Sequence, residues 1–138
     1  MSRPASPREV FERLVHGVAD GRWDELPDLY AEDAVVVHPF EPSGAPPLVG
    51  RDALREHFRP PGDGTELPFR FQPRNIVVHQ TTDPEVIVAE FEYHGTVVAT
   101  GAPLTLPAVF ILRVRDGRIV SSRDYVDHAA FERAAGQG

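Results

Sequence analysis

A chain of 138 residues with 41% apolar and 25% charged side chains has the make-up of an ordinary folded protein, and one domain of that length buries about two-thirds of its surface. The net charge of −7 argues against a general nucleic-acid binder, which needs a basic face. The lack of cysteine excludes disulfides, thiolate nucleophiles and Cys-type zinc sites. No apolar run approaches the roughly 20 residues of a membrane span, and the N-terminus lacks the basic-then-apolar pattern of a signal peptide. A cytoplasmic protein with no membrane partner is expected.

Residues 1–6 and 134–138 read as tails of a single domain spanning 1–138. Ser6 followed by Pro7 suits the cap and first turn of a helix. Val10, Phe11, Leu14, Val15 and Val18 then recur at three- and four-residue spacings, the apolar face of a helix ending near Gly21. Trp23 to Tyr30 reads as a second short helix with Leu26, Leu29 and Tyr30 inward. Ala34 to His38 reads as a strand. Pro39–Gly50 holds four prolines and two glycines, which makes it a loop and a candidate lid. Arg51 to Phe58 reads as a third helix, closed by Pro60-Pro61 and a Gly-rich turn at 62–64.

The second half changes character. Phe69–Gln80, Glu85–His94, Leu104–Arg115 and Arg118–Asp127 are rich in Val, Ile, Phe and Tyr, with hairpin signals at Asp83-Pro84 and Asp116-Gly117. Helices first and a four-strand meander afterwards indicate an α+β domain without repeats.

Four segments carry a resemblance. Tyr30-Ala31-Glu32-Asp33-Ala34, Gly50-Arg51-Asp52-Ala53, Asp116-Gly117-Arg118-Ile119 and Arg123-Asp124-Tyr125-Val126-Asp127 resemble the SnoaL-like branch of the nuclear transport factor 2-like superfamily. That superfamily includes ketosteroid isomerase, limonene-type epoxide hydrolase, polyketide cyclases and phenazine-pathway enzymes. The resemblance covers roughly residues 8–133. It implies a cone-like α+β barrel, three N-terminal helices on a strongly curved antiparallel sheet enclosing a pocket. It does not assign the reaction, because a fold hosts many chemistries.

Alternation along each strand divides the candidates between a pocket face and an outer face. Asp124 is the leading catalytic candidate. The resemblance places it where related cyclases and epoxide hydrolases carry an acid, and an aspartate in an apolar cavity gains proton affinity. The bland alternative is a salt bridge with an arginine such as Arg123. His38, before Pro39, falls on the catalytic aspartate of ketosteroid isomerase, and an imidazole can move a proton near neutral pH. A strand-end histidine bonded to backbone or solvent is the competing reading.

Glu90 and Glu92 share a face with Val88 and His94 and are expected in the pocket as an acid/base pair. Glu90 stands where limonene-type hydrolases have an arginine, so their acid–arginine–acid relay is not reproduced. The resemblance matches the two enolate-stabilising donors of ketosteroid isomerase to Leu14 and an apolar residue around Phe110, which speaks against steroid isomerisation. Leu14, Val36, Val88, Phe110, Leu112 and Tyr30 are expected to line the substrate site; Tyr30 or Tyr93 could supply a hydroxyl, with Tyr30 otherwise a core residue.

The opposite face is expected to carry Phe91, Tyr93, Ile111 and Tyr125, an apolar patch of the kind that marks an interface. The resemblance implies homodimer formation there. The six histidines show no His-x-His or His-x₃-His pair, and no metal or other cofactor is expected. The expected function is a cofactor-independent cyclase or isomerase for a polyketide-like or other natural-product intermediate. Alternatives are an epoxide hydrolase or epoxide-opening cyclase, and a non-catalytic small-molecule binding protein.

Overall fold

The computed structural model describes residues 4–58, 69–130 and 133. Helix α1 (Pro7–Ala19) starts at a complete capping box: Ser6 Oγ accepts the Glu9 N–H, and the Glu9 carboxylate accepts the Ser6 N–H. The segment expected as a second helix forms only a 3₁₀ turn, Leu26–Leu29. Pro27 lies inside it and lacks the N–H that an α-helix interior needs.

Strand β1 (Tyr30–Val37) starts four residues earlier than expected, followed by β2 (Leu48–Val49), α2 (Arg51–His57), β3 (Phe69–Gln80), β4 (Val86–Val97), β5 (Pro103–Arg115) and β6 (Arg118–Val126). The helix α2 therefore lies between strands, not in an N-terminal helical block. The expected turn over residues 60–64 lies outside the described residues.

The chain is α+β. Its six strands form one sheet in the order β2-β1-β6-β5-β4-β3, open at β2 and β3 and not closed into a barrel. β3 to β6 form the expected antiparallel meander, with Asp116 and Gly117 both at positive φ in the β5–β6 hairpin. β1 adds beside β6 in parallel, a pairing the expected all-antiparallel sheet did not include. At Gly95 the backbone of β3 comes so close that an added Cβ would lie 1.8 Å from the Arg70 carbonyl oxygen, so no other residue fits there.

Helix α1 lies on the inner face of β3, β4 and β5. Phe11 of α1, Phe91 of β4 and Phe110 of β5 meet edge to face, with ring centroids 5.3 Å, 6.2 Å and 5.0 Å apart. This cluster fixes the phase of β4. Ile87, Ala89, Phe91 and Tyr93 point into the core, and Val88, Glu90, Glu92 and His94 point away. The expected assignment of β4 was inverted. Phe91 and Tyr93 belong to the core and not to an outer patch, whereas Ile111 and Tyr125 do lie on the outer face.

Candidate active site

Strand register assembles the site. Paired residues of neighbouring strands share a face, so Phe110 of β5 aligns with Asp124 of β6, and Leu112 with Ser122. On the other side of β6, Val36 of β1 aligns with Ser122 in parallel. Two residues further along both strands, His38 therefore comes beside Asp124. A bulge at Val120 lets Ile119 and Ser122, three apart in sequence, both face inward.

These side chains open onto a cavity of about 340 Å³, lined by Leu14 and Val18 of α1, Trp23, Tyr30, Val36, His38, Leu54, His57, Phe58, Tyr93, Phe110, Asp124, Val126 and His128. Its volume is at the small end of ligand pockets. Asp124 is 8% exposed and is the only carboxylate among the described residues that line it. Ser122 Oγ donates a hydrogen bond to Asp124 Oδ1. His38 Nε2 faces the second oxygen, Oδ2, at 3.6 Å.

Burial pushes the Asp124 carboxyl up from the usual aspartate range to about 7, against the opposing effect of the Ser122 hydroxyl. His38 moves the other way, to about 4, through burial and the neighbouring His57 and His128. Burial also lowers His57. Ring centroids lie 5.4 Å apart for His38 and His57 and 6.2 Å apart for His38 and His128. Near neutral pH the site therefore holds a neutral imidazole beside a carboxyl that is close to half-ionised. Such a pair can take a proton from a bound molecule and return it elsewhere.

Leu14, Val36, Phe110 and Tyr30 line the cavity together with His38 and Asp124. Leu112 is fully buried on the inner face but is not among the lining side chains. Val88, Glu90 and Glu92 lie on the opposite face of the sheet. Glu90, 56% exposed in its side chain, reaches His79 Nε2 at 2.5 Å. Glu92 accepts from Asn75 Nδ2 at 2.6 Å and lies 2.9 Å from His94 Nε2, contacts that lower its proton affinity. Neither glutamate can act on a molecule next to Asp124, and neither is buried with a like charge.

The loop at 39–47 contributes nothing to the cavity lining among the described residues. Phe40 instead packs its ring 5.2 Å from that of Tyr125 on the outer face. A larger groove of about 690 Å³ on that side, bordered by Phe40, Val77, Glu90, Val109 and Tyr125, does not include the buried acid.

His57 and His128 were not read as site residues from the sequence, and Tyr93, considered as a hydroxyl donor, was assigned to the outer face. The apolar phase Ile87, Ala89, Phe91, Tyr93 was a readable signal for Tyr93, and Leu54 with His57 at i, i+3 was one for a shared helix face. His128, just beyond β6, carried none. No set of three His, Cys, Asp or Glu side chains among the described residues has the arrangement of a metal site.

The model of the SnoaL-like domain family matches residues 11–122. The uncharacterized protein YesE of Bacillus subtilis is 31% identical over 115 residues, covering 83% of this chain and 74% of that protein. Among solved structures, a candidate isomerase from Bacillus subtilis superposes with a TM-score of 0.81 at 24% identity, over 95% of this chain and 93% of that one. A candidate polyketide cyclase from Xanthomonas campestris pv. campestris gives a TM-score of 0.68 at 24% identity, over 88% and 90%. At these identities the structural matches establish a shared fold.

Proposed function

The chain belongs to the SnoaL-like domain family of the nuclear transport factor 2-like superfamily, and from that premise we propose that it is a cofactor-independent cyclase or isomerase. Its substrate would be a small natural-product intermediate, polyketide-like in its reactivity, handled in the cytoplasm within an open cone formed by the sheet. One observation carries this reading: a single buried carboxyl, Asp124, lies in an apolar cavity with His38 Nε2 at 3.6 Å from its free oxygen.

In this reading Asp124 takes a proton from carbon and returns it, and His38 orients the carboxylate or relays the proton. Leu14, Val36 and Phe110 hold the substrate folded, so that reacting atoms meet without a large entropic cost. The hydrolytic alternative loses support because the second and third members of an acid–arginine–acid relay are not in the cavity. Glu90 and Glu92 lie outside it, and the inner face of β4 supplies Ala89, Phe91 and Tyr93 in that region.

The test is a metabolite comparison between a strain with the intact gene and one with a chromosomal Asp124→Asn substitution. The reading predicts accumulation of an intermediate with the same mass as the lost product. A dehydrating cyclisation would show an intermediate heavier by one water, and hydrolysis one lighter by one water. An unchanged profile with folded Asp124→Asn protein would sink the catalytic reading and favour a binding protein.

We also infer that two copies pair through the outer face of the sheet. Ile111 and Tyr125 lie there, and Phe40 and Val77 are 66% and 50% exposed.

A further inference from the structure

Histidines on the outer face of the sheet have acid partners: His79 Nε2 lies 2.5 Å from Glu90, and His94 Nε2 lies 2.9 Å from Glu92. Inside the cavity the balance is different. His38 after β1, His57 at the end of α2 and His128 beyond β6 all line it, and among the described lining residues Asp124 is their one acid. The His38 ring lies 5.4 Å from His57 and 6.2 Å from His128, and Phe58 steadies His57 at 5.0 Å. The Nε2 of His128 is enclosed in the wall and has no hydrogen-bond partner, a costly position for a ring nitrogen. A small turn of that ring towards the cavity gives up no hydrogen bond at Nε2 and offers the nitrogen to a bound molecule.

We propose that these imidazoles form an anion subsite, and that the cavity takes a small carboxylic acid whose carboxylate is held by His57 and His128 beside His38. This inference rests on reading the cavity as the substrate site, and it names the substrate class.

The cluster is uncharged in the free protein. His38 is lowered to about 4, first by burial and then by repulsion from His57 and His128, and burial lowers His57 as well. Glu41, in the loop after β1, pulls His38 weakly the other way. Tyr30 and Tyr93, the other ionisable groups of the lining, are raised and stay protonated. A carboxylate that enters brings the negative charge the imidazoles lack, so one of them takes a proton from solvent as it binds. One carboxylate and one proton leave the net charge of the cavity unchanged, and Asp124 stays free to accept a proton. A singly charged acid suits this cluster better than a phosphate dianion, because a second proton would meet the repulsion between neighbouring rings.

The test compares 2-naphthoate, the neutral 2-naphthamide of the same shape, and 2-naphthyl phosphate. Titration calorimetry at pH 6, 7 and 8, in buffers of different ionisation enthalpy, reads both affinity and proton uptake. At pH 6 naphthoate should bind roughly tenfold tighter than naphthamide, and its affinity should fall by roughly threefold to tenfold per pH unit towards pH 8. Proton uptake should accompany naphthoate and persist in Asp124→Asn, which places the proton on the imidazoles. His57→Gln and His128→Gln should each weaken naphthoate by roughly threefold to tenfold and leave naphthamide within about twofold.

No saturable naphthoate binding, naphthamide binding as tightly as the acid, or absent proton uptake would overturn the proposal. So would uptake that disappears in Asp124→Asn, or phosphate binding tighter than naphthoate. All of these are read on the intact protein or on Asp124→Asn, whether or not a histidine variant folds. The metabolite profile separates this subsite from the catalytic reading. If Asp124→Asn leaves the profile unchanged while naphthoate binds with proton uptake, the proton-transfer reading fails and the anion subsite stands. If Asp124→Asn blocks turnover while naphthoate binds no tighter than naphthamide, the reverse holds.

Discussion

Asp124 pays for its position in proton affinity: a carboxylate among Phe110, Val36 and Leu14 has lost its water and gained one hydroxyl partner, Ser122. The native state keeps its proton up to about pH 7, whereas the unfolded chain has released it by about pH 4. Between those values the native state binds more protons, so this group's contribution to stability falls as pH rises and levels off above 7. Asp124→Asn removes the effect. Urea denaturation should find the variant more stable than the parent at pH 8 by roughly 2–4 kcal/mol, with the difference vanishing near pH 4. His38 has the opposite sign, because its depressed proton affinity makes stability fall as pH drops from about 6.5 towards 4. His38→Asn should therefore flatten the acid side of the stability profile measured by the same titration. Asp124 and His38 were singled out because the resemblance aligns them with acid and base positions of relatives, and the structure brings the two side chains together at one cavity. Tyr93 was assigned to the wrong face, since a tyrosine suits either side of a sheet.

Strand β4 shows how far pattern and family analogy can diverge. Its alternation of Ile87, Ala89, Phe91 and Tyr93 with Val88, Glu90, Glu92 and His94 gives an apolar face and a charged one, and a one-residue phase shift exchanges them. Analogy with a hydrolase relay placed the charged face inward, and the aromatic cluster around Phe11 reverses it. Two glycines offer a contrast at this scale. Gly95→Ala would drive a methyl into the Arg70 carbonyl at 1.8 Å and should cost at least about 3 kcal/mol in chemical denaturation. Gly17→Ala meets only the end of the Leu26 side chain, at 2.7 Å. That tip can turn aside, and alanine's better helix propensity of about 1 kcal/mol should keep the net change within about 1 kcal/mol. The capped start of α1 and the Asp116-Gly117 hairpin were readable because each rests on local chemistry. The 3₁₀ turn at Leu26–Leu29 was overread as a helix despite Pro27.

At the scale of the whole chain, the cavity draws on α1, α2, four strands and the segment after β6. The meander was foreseeable from strand spacing and turn residues. The parallel docking of β1 against β6 was not, because it depends on a contact between residues about 85 positions apart, for which no local signal exists. Without that docking His38 would not meet Asp124. Pairing of copies through the outer face belongs to this scale as well. Light scattering should give a mass twice that of the chain, and Ile111→Glu should halve it while the fold persists. A single-chain mass for the parent would remove the pairing. The central claim, that Asp124 is a buried acid/base group poised near neutrality, is open to a direct measurement that needs no substrate. In protein labelled with ¹³C at aspartate carboxyls, the Asp124 resonance, assigned by its loss in Asp124→Asn, should titrate with a midpoint close to 7. A midpoint near the ordinary aspartate value of about 4 would contradict the account.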